Sequence, residues 1–208
     1  MRKILINTLS AVAALTVSVG AMAQITGSNH DMTSEFTGLL ATGNAGGRIC
    51  IYCHVPHHSR SDAVAPLWNR NDTTTLYTMY SSDTLDMTIA AQPQGVSAAC
   101  LSCHDGSLGV DNMYSTPWGW GASDNTTYTT TWGNLGSDLS TDHPISVTYD
   151  PAQDTGFRAQ VDVETSGLKF FDGDQLECAS CHDVHYTDGD SFWISNDRSA
   201  LCLTCHIK

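Results

Sequence analysis

The chain has 208 residues, with 22 Asp and Glu against 9 Lys and Arg and a formal charge of −13. Such an acidic surface excludes a nucleic-acid partner, because phosphate repels it, and the length fits one domain or two small ones. Charged residues are scarce at 15%, and 8 cysteines stand beside 9 histidines, a combination that neither an ordinary enzyme nor a plain disulfide scaffold explains.

Residues 1–23 read as a secretory signal peptide: Arg2 and Lys3, an apolar stretch, then Ala21-Met22-Ala23 before Gln24. The apolar part is short and broken by hydroxyl residues, which disfavours an uncleaved anchor. The mature part, 24–208, is then expected outside the cytoplasm without membrane insertion. It is read as one domain. A glycine-rich run, Gly43 to Gly47, precedes the first cysteine and suggests a flexible entry. Residues 59–99 read as turns with a short helix. Ser97 to His104 reads as one or two helical turns ending at Gly106. Residues 112–141, with Trp118, Trp120 and Trp132 among Gly, Thr, Ser and Asn, read as a long loop or irregular hairpin. The alternation Val161-Asp-Val163-Glu within 158–171 predicts a small β-hairpin, and Ser199 to His206 a short C-terminal helix. The Asp172-Gly-Asp174 and Asp188-Gly-Asp190 stretches read as turns rather than calcium sites. The predicted fold is mostly irregular coil with short α-helices and a small β-hairpin.

All eight cysteines fall in four Cys-x-x-Cys-His pentapeptides: Cys50, Cys53 and His54; Cys100, Cys103 and His104; Cys178, Cys181 and His182; Cys202, Cys205 and His206. That is the attachment signature of c-type haem. Residues i and i+3 of a helical turn share a face, so two thiols reach both vinyl groups of one porphyrin. The next residue then sets its imidazole beneath the iron. Zinc ribbons do not need a histidine after each pair, and redox dithiols come singly. Four covalently bound haems c are expected. Little of the remaining sequence promises a regular core, so the porphyrins would supply apolar volume and metal bonds would couple to folding.

Each iron needs a sixth ligand or stays open. His30, His57, His58, His143 and His185 remain for four positions, so bis-histidine ligation leaves one spare. His54 with His57, and His182 with His185, repeat the frame Cys-x-x-Cys-His-x-x-His. The second histidine of each frame is suited to an adjacent haem. His58 is the expected spare, although the doublet leaves both candidates open. His143 lies in Asp142-His143-Pro144, where Asp142 could orient the ring. A nearest-upstream allocation gives His30 to the first haem, His57 to the second, His143 to the third and His185 to the fourth. Met32, Met79, Met87 and Met113 are then packing or surface residues.

The arrangement resembles the OmcE-like tetrahaem cytochromes of metal-reducing bacteria, which assemble into extracellular filaments. The resemblance is carried by Cys50 to His57, Ala65-Pro-Leu-Trp68-Asn69-Arg70, Cys100 to Gly106, Asp142-His-Pro-Ile-Ser146 and Leu201 to His206. It implies bis-histidine haems in a closely spaced chain, with His30, His57, His143 and His185 distal. It also implies that one distal histidine crosses to a neighbouring subunit, with His30 on its short arm as the candidate.

The expected function is electron transfer without catalysis, as a polymerising extracellular or cell-surface conductor that meets redox partner proteins or extracellular acceptors. A monomeric periplasmic shuttle is the runner-up. A multihaem reductase is a more distant rival. It would need an open or lysine-ligated iron, and the sequence has no Cys-x-x-Cys-Lys.

Overall fold

A computed structural model of the chain describes residues 25–32, 48–62, 65–110, 112–115, 133–185 and 191–208. The leader expected at 1–23, the glycine run 43–47, the tryptophans Trp118, Trp120 and Trp132, and the turn at 188–190 lie outside them. Regular structure is sparse. The helices are α1 (Gly95–His104), α2 (Gln160–Thr165), α3 (Cys178–Cys181) and α4 (Ala200–Cys205), with 3-10 turns at Ile49–Tyr52 and Asp197–Ser199. A single small sheet among the described residues pairs β1 (Val147–Thr148) with β2 (Gln175–Leu176), antiparallel, Val147 opposite Leu176. Coil, short helices and a two-stranded sheet agree with the composition. No helix among the described residues is long and apolar enough to cross a membrane.

The hairpin expected at 158–171 is not there. That segment forms α2 instead, and the strands lie on either side of it. The Val161/Val163 alternation misleads because only one of the two valines is core: Val163 is fully buried and Val161 is 65% exposed. Gly167, at φ +110°, ends the helical turn where a side chain would be strained. The helix expected over Ser97 to His104 is α1, which begins two residues earlier and stops at His104, with Gly106 at φ +71° beyond its end.

Two small cores carry the packing. Ile51, Tyr52, Val110 and Met113 form one, with Met32 and Cys53 against it. Met87, Val147, Tyr149, Val163 and Leu168 form the other, with Phe157, Trp193 and Cys205 against it. Each buried aliphatic side chain contributes about 1.5–3 kcal/mol. Twelve buried hydrophobics among the described residues are few against the chain entropy of a domain this size, so the protein part alone supplies a thin core. Polar bonds join α1 to α3. The Cys178 N–H donates to Ser97 Oγ of α1 at 2.9 Å, and from beside β1 the Ser146 Oγ donates to the buried Glu177 carboxylate at 3.0 Å. Glu177 in turn caps α3 reciprocally with Ser180.

Candidate functional site

Each pentapeptide occupies a helical turn. Cys100, Cys103 and His104 lie inside α1. In the other three, the histidine N–H closes the turn on the first cysteine's carbonyl: His54 to Cys50 at 2.8 Å, His182 to Cys178 at 3.0 Å and His206 to Cys202 at 2.9 Å. This i to i−4 closure sets both thiols of a pair on one face.

A strap fixes three of the four turns. His54 forms an isolated antiparallel bridge with Trp68, His182 with Phe192 and His206 with Phe157. The aromatic ring lies against the imidazole in each case, at 5.8, 4.5 and 4.4 Å between centres. The residue after each aromatic donates its N–H to the second cysteine's carbonyl: Asn69 to Cys53 at 2.8 Å, Trp193 to Cys181 at 2.9 Å and Arg158 to Cys205 at 2.8 Å. The helix-end carbonyl is thereby satisfied. The strap comes from downstream in the first and third pentapeptides and from upstream in the fourth. The second pentapeptide departs from the pattern. There the His104 Nδ1–H donates to the Gly133 carbonyl at 2.5 Å, and the Leu135 N–H donates to the His104 carbonyl at 2.7 Å.

The imidazoles are arranged as metal ligands are. The Nδ1–H of His54 donates to the Pro66 carbonyl at 2.6 Å, and that of His143 to the Pro144 carbonyl at 3.0 Å. His185 Nδ1 lies 3.5 Å from the Asp183 carboxylate. With Nδ1 so engaged, Nε2 keeps a free lone pair. Burial pushes the pKa of His30, His182 and His206 down and so favours the neutral ring that a ligand presents. His30 Nδ1 is buried without a hydrogen-bond partner in the protein.

Six of the nine histidines face one another in pairs. Ring centres are 5.9 Å apart for His30 and His104, 6.1 Å for His54 and His185, and 6.4 Å for His143 and His206. An imidazole nitrogen binds a transition metal at about 2 Å and its ring centre lies about 1.1 Å further back, so two rings sharing one iron stand roughly 6.2 Å apart. All three separations match. The pairing differs from the nearest-upstream allocation: His30 faces the second pentapeptide, His185 the first and His143 the fourth. His182 meets Phe192 rather than an imidazole. His57 and His58 are exposed, and neither faces another imidazole among the described residues.

The pentapeptides run in sequence order through space. Asn69 and Arg70 tie the first pentapeptide to the second, Ser97 ties the second to the third, and the cysteines of the third and fourth line one cleft. None of the eight is in a disulfide. Burial pushes the Cys53 thiol up to about 12, and Cys181 and Cys205 up to about 11. At these three sulfurs burial disfavours the thiolate that zinc requires, whereas Cys178 beside Cys100 is shifted down. Among the described residues no three His, Cys, Asp or Glu side chains converge as a metal cage would need. Instead an apolar cleft of about 390 Å3 holds the cysteines of the last two pentapeptides together with His143, His182 and His206. Spaced imidazole pairs, an orphaned buried ring nitrogen and an apolar cleft edged by thiols fit a porphyrin with axial ligands.

Residues 171–208 match the family described as Doubled CXXCH motif. No curated protein matches the chain. The matched motif is that of multihaem c-type cytochromes, whose paired pentapeptides bind haem c covalently and carry electrons. Trp68, Phe157, Phe192 and Gly133, which secure the histidines of the four pentapeptides, carry no local sequence signal of that role. They become visible only when the chain folds back.

Proposed function

We propose that the protein holds four haems c, each between two imidazoles, and conducts electrons along them. The observation that carries this reading is the spacing of the three imidazole pairs. Bound haem supplies a one-electron Fe(III)/Fe(II) couple. The chain's residues do the rest. His54, His104, His182 and His206 serve as proximal ligands, and His185, His30 and His143 as distal ligands to the first, second and fourth. The straps lock the proximal rings, and the aromatic residues on them exclude water.

Three distal histidines in cis leave His182 to find its partner elsewhere. The exposed His57, with His58 beside it, is the remaining imidazole source. We assign it to the third haem of a neighbouring copy, so that coordination joins subunits into a filament. This replaces the expectation that His30 bridges, because His30 faces His104 within its own chain. The terminal pentapeptides support end-to-end conduction: Cys50 and Cys202 are exposed, while the cysteines between them are partly covered. The chain is proposed to be exported, to work at or beyond the cell surface, and to transfer electrons rather than catalyse a reaction.

Electron microscopy of the secreted native protein, together with its His57→Ala/His58→Ala double variant, tests this reading. Filaments from the native chain and isolated particles from the variant are expected. Native protein that stays monomeric with all irons six-coordinate would favour the periplasmic shuttle instead.

A further inference from the structure

Arg70 is the largest side chain fully buried among the described residues, at 1% exposure. Its guanidinium donates to Ser102 Oγ at 3.3 Å, the Ser102 carbonyl at 3.1 Å, the Gly109 carbonyl at 2.7 Å and the Val110 carbonyl at 2.5 Å. Every one of these acceptors is neutral. The ionised carboxylate nearest in sequence to the second pentapeptide, Asp105, is taken up by Tyr77, Thr73 and Ser107. A buried cation ordinarily takes a carboxylate partner, because an unpaired charge is expensive in a low dielectric. Hydrogen bonding alone would not require the charge.

The position explains what the charge could act on. Asn69, one residue before, is tied to the first pentapeptide through its N–H to the Cys53 carbonyl and its side chain to the Ile51 carbonyl. Ser102, which Arg70 grips, lies between Cys100 and Cys103. The backbone beside Arg70 thus holds the first pentapeptide while its guanidinium holds the second. Arg70 is therefore wedged where the first two pentapeptides meet.

We propose that Arg70 sets the reduction potential of the haems held at Cys50–His54 and Cys100–His104, raising both. A fixed positive charge in a water-poor interior disfavours the extra positive charge of Fe(III) and favours Fe(II). Salt screens such a charge weakly because solvent ions do not reach it. The inference rests on the haem assignment above.

Redox titration of the purified holoprotein, followed by visible absorption, tests it. In Arg70→Gln, about half of the haem should titrate at lower potential while the low-spin spectrum stays native. Arg70→Lys, which keeps the charge, should titrate close to native. Ser102→Asp leaves Arg70 in place and adds a carboxylate beside it, and should reproduce the lowering even where Arg70→Gln fails to load haem. A native titration curve in Arg70→Gln or Ser102→Asp, with a native spectrum, overturns the proposal and leaves Arg70 a packing clamp. Absence of covalent haem from the native chain, read by its pyridine haemochrome, overturns the underlying assignment instead.

Discussion

The hydroxyl of Ser97, in the helix that carries the second pentapeptide, accepts the backbone N–H of Cys178, the first residue of the third, at 2.9 Å. Ser97 is fully buried, so no water can replace it. The contact fixes α3, which opens on Cys178, against α1, which carries Cys100.

Ser97→Ala should therefore strand a buried N–H. The expected loss is about 1–3 kcal/mol, read as a lowered denaturant midpoint of the holoprotein. An unchanged midpoint would mean that the Cys178 amide has another acceptor.

Each distal histidine should report on its own haem. His30→Ala, His185→Ala and His143→Ala should each convert about a quarter of the iron from low-spin to high-spin in the electron paramagnetic resonance spectrum. Under the nearest-upstream allocation the second haem would be emptied by His57→Ala. Under the observed pairing His30→Ala empties it, and the His104 resonances in nuclear magnetic resonance spectra distinguish the two.

Gly133 takes φ +74°, and a Cβ there would stand 3.2 Å from the His104 ring. Gly133→Ala combines a left-handed backbone cost of about 1–2 kcal/mol with a push on the imidazole. Lower stability is expected together with a shifted spectrum for the haem at Cys100–His104 alone. Stability loss without that shift would separate the strain from the ligand.

Burial raises the Glu177 carboxyl above the usual glutamate range, against hydrogen bonds from Ser97 and Ser146 and with the charge of Asp172 adding to the rise. The folded state therefore holds this proton more tightly than the unfolded state. Its contribution to stability is fully present below the ordinary glutamate pKa and is lost as pH rises through the raised folded value. Glu177→Gln should flatten the fall of stability across that window in denaturation measured at a series of pH values. An unchanged slope would assign the pH dependence to other groups.

The pentapeptides were legible because attachment chemistry needs fixed residue types at fixed spacing within one helical turn. The sparse regular structure followed from a composition rich in turn-formers. What stayed illegible was non-local. Trp68 and Phe192 strap the turns from downstream and Phe157 from upstream, at separations that carry no period. Val161 and Val163 alternate like a strand, yet packing buries only Val163, and the segment coils into α2. The five spare histidines could be counted but not paired, because proximity in sequence does not measure proximity in space: His185 reaches back past two pentapeptides to His54.

The three imidazole pairs also interleave along the polypeptide. His30 pairs across His54, and His54 pairs across both His104 and His143. His143 in turn pairs across His185. Metal bonds laid over such crossings would leave no stretch able to peel away alone. Where these pairs hold haem, the first could not be completed before residue 185 had been made, whereas the second could be completed once residue 104 had, so the haems should mature out of their order along the chain.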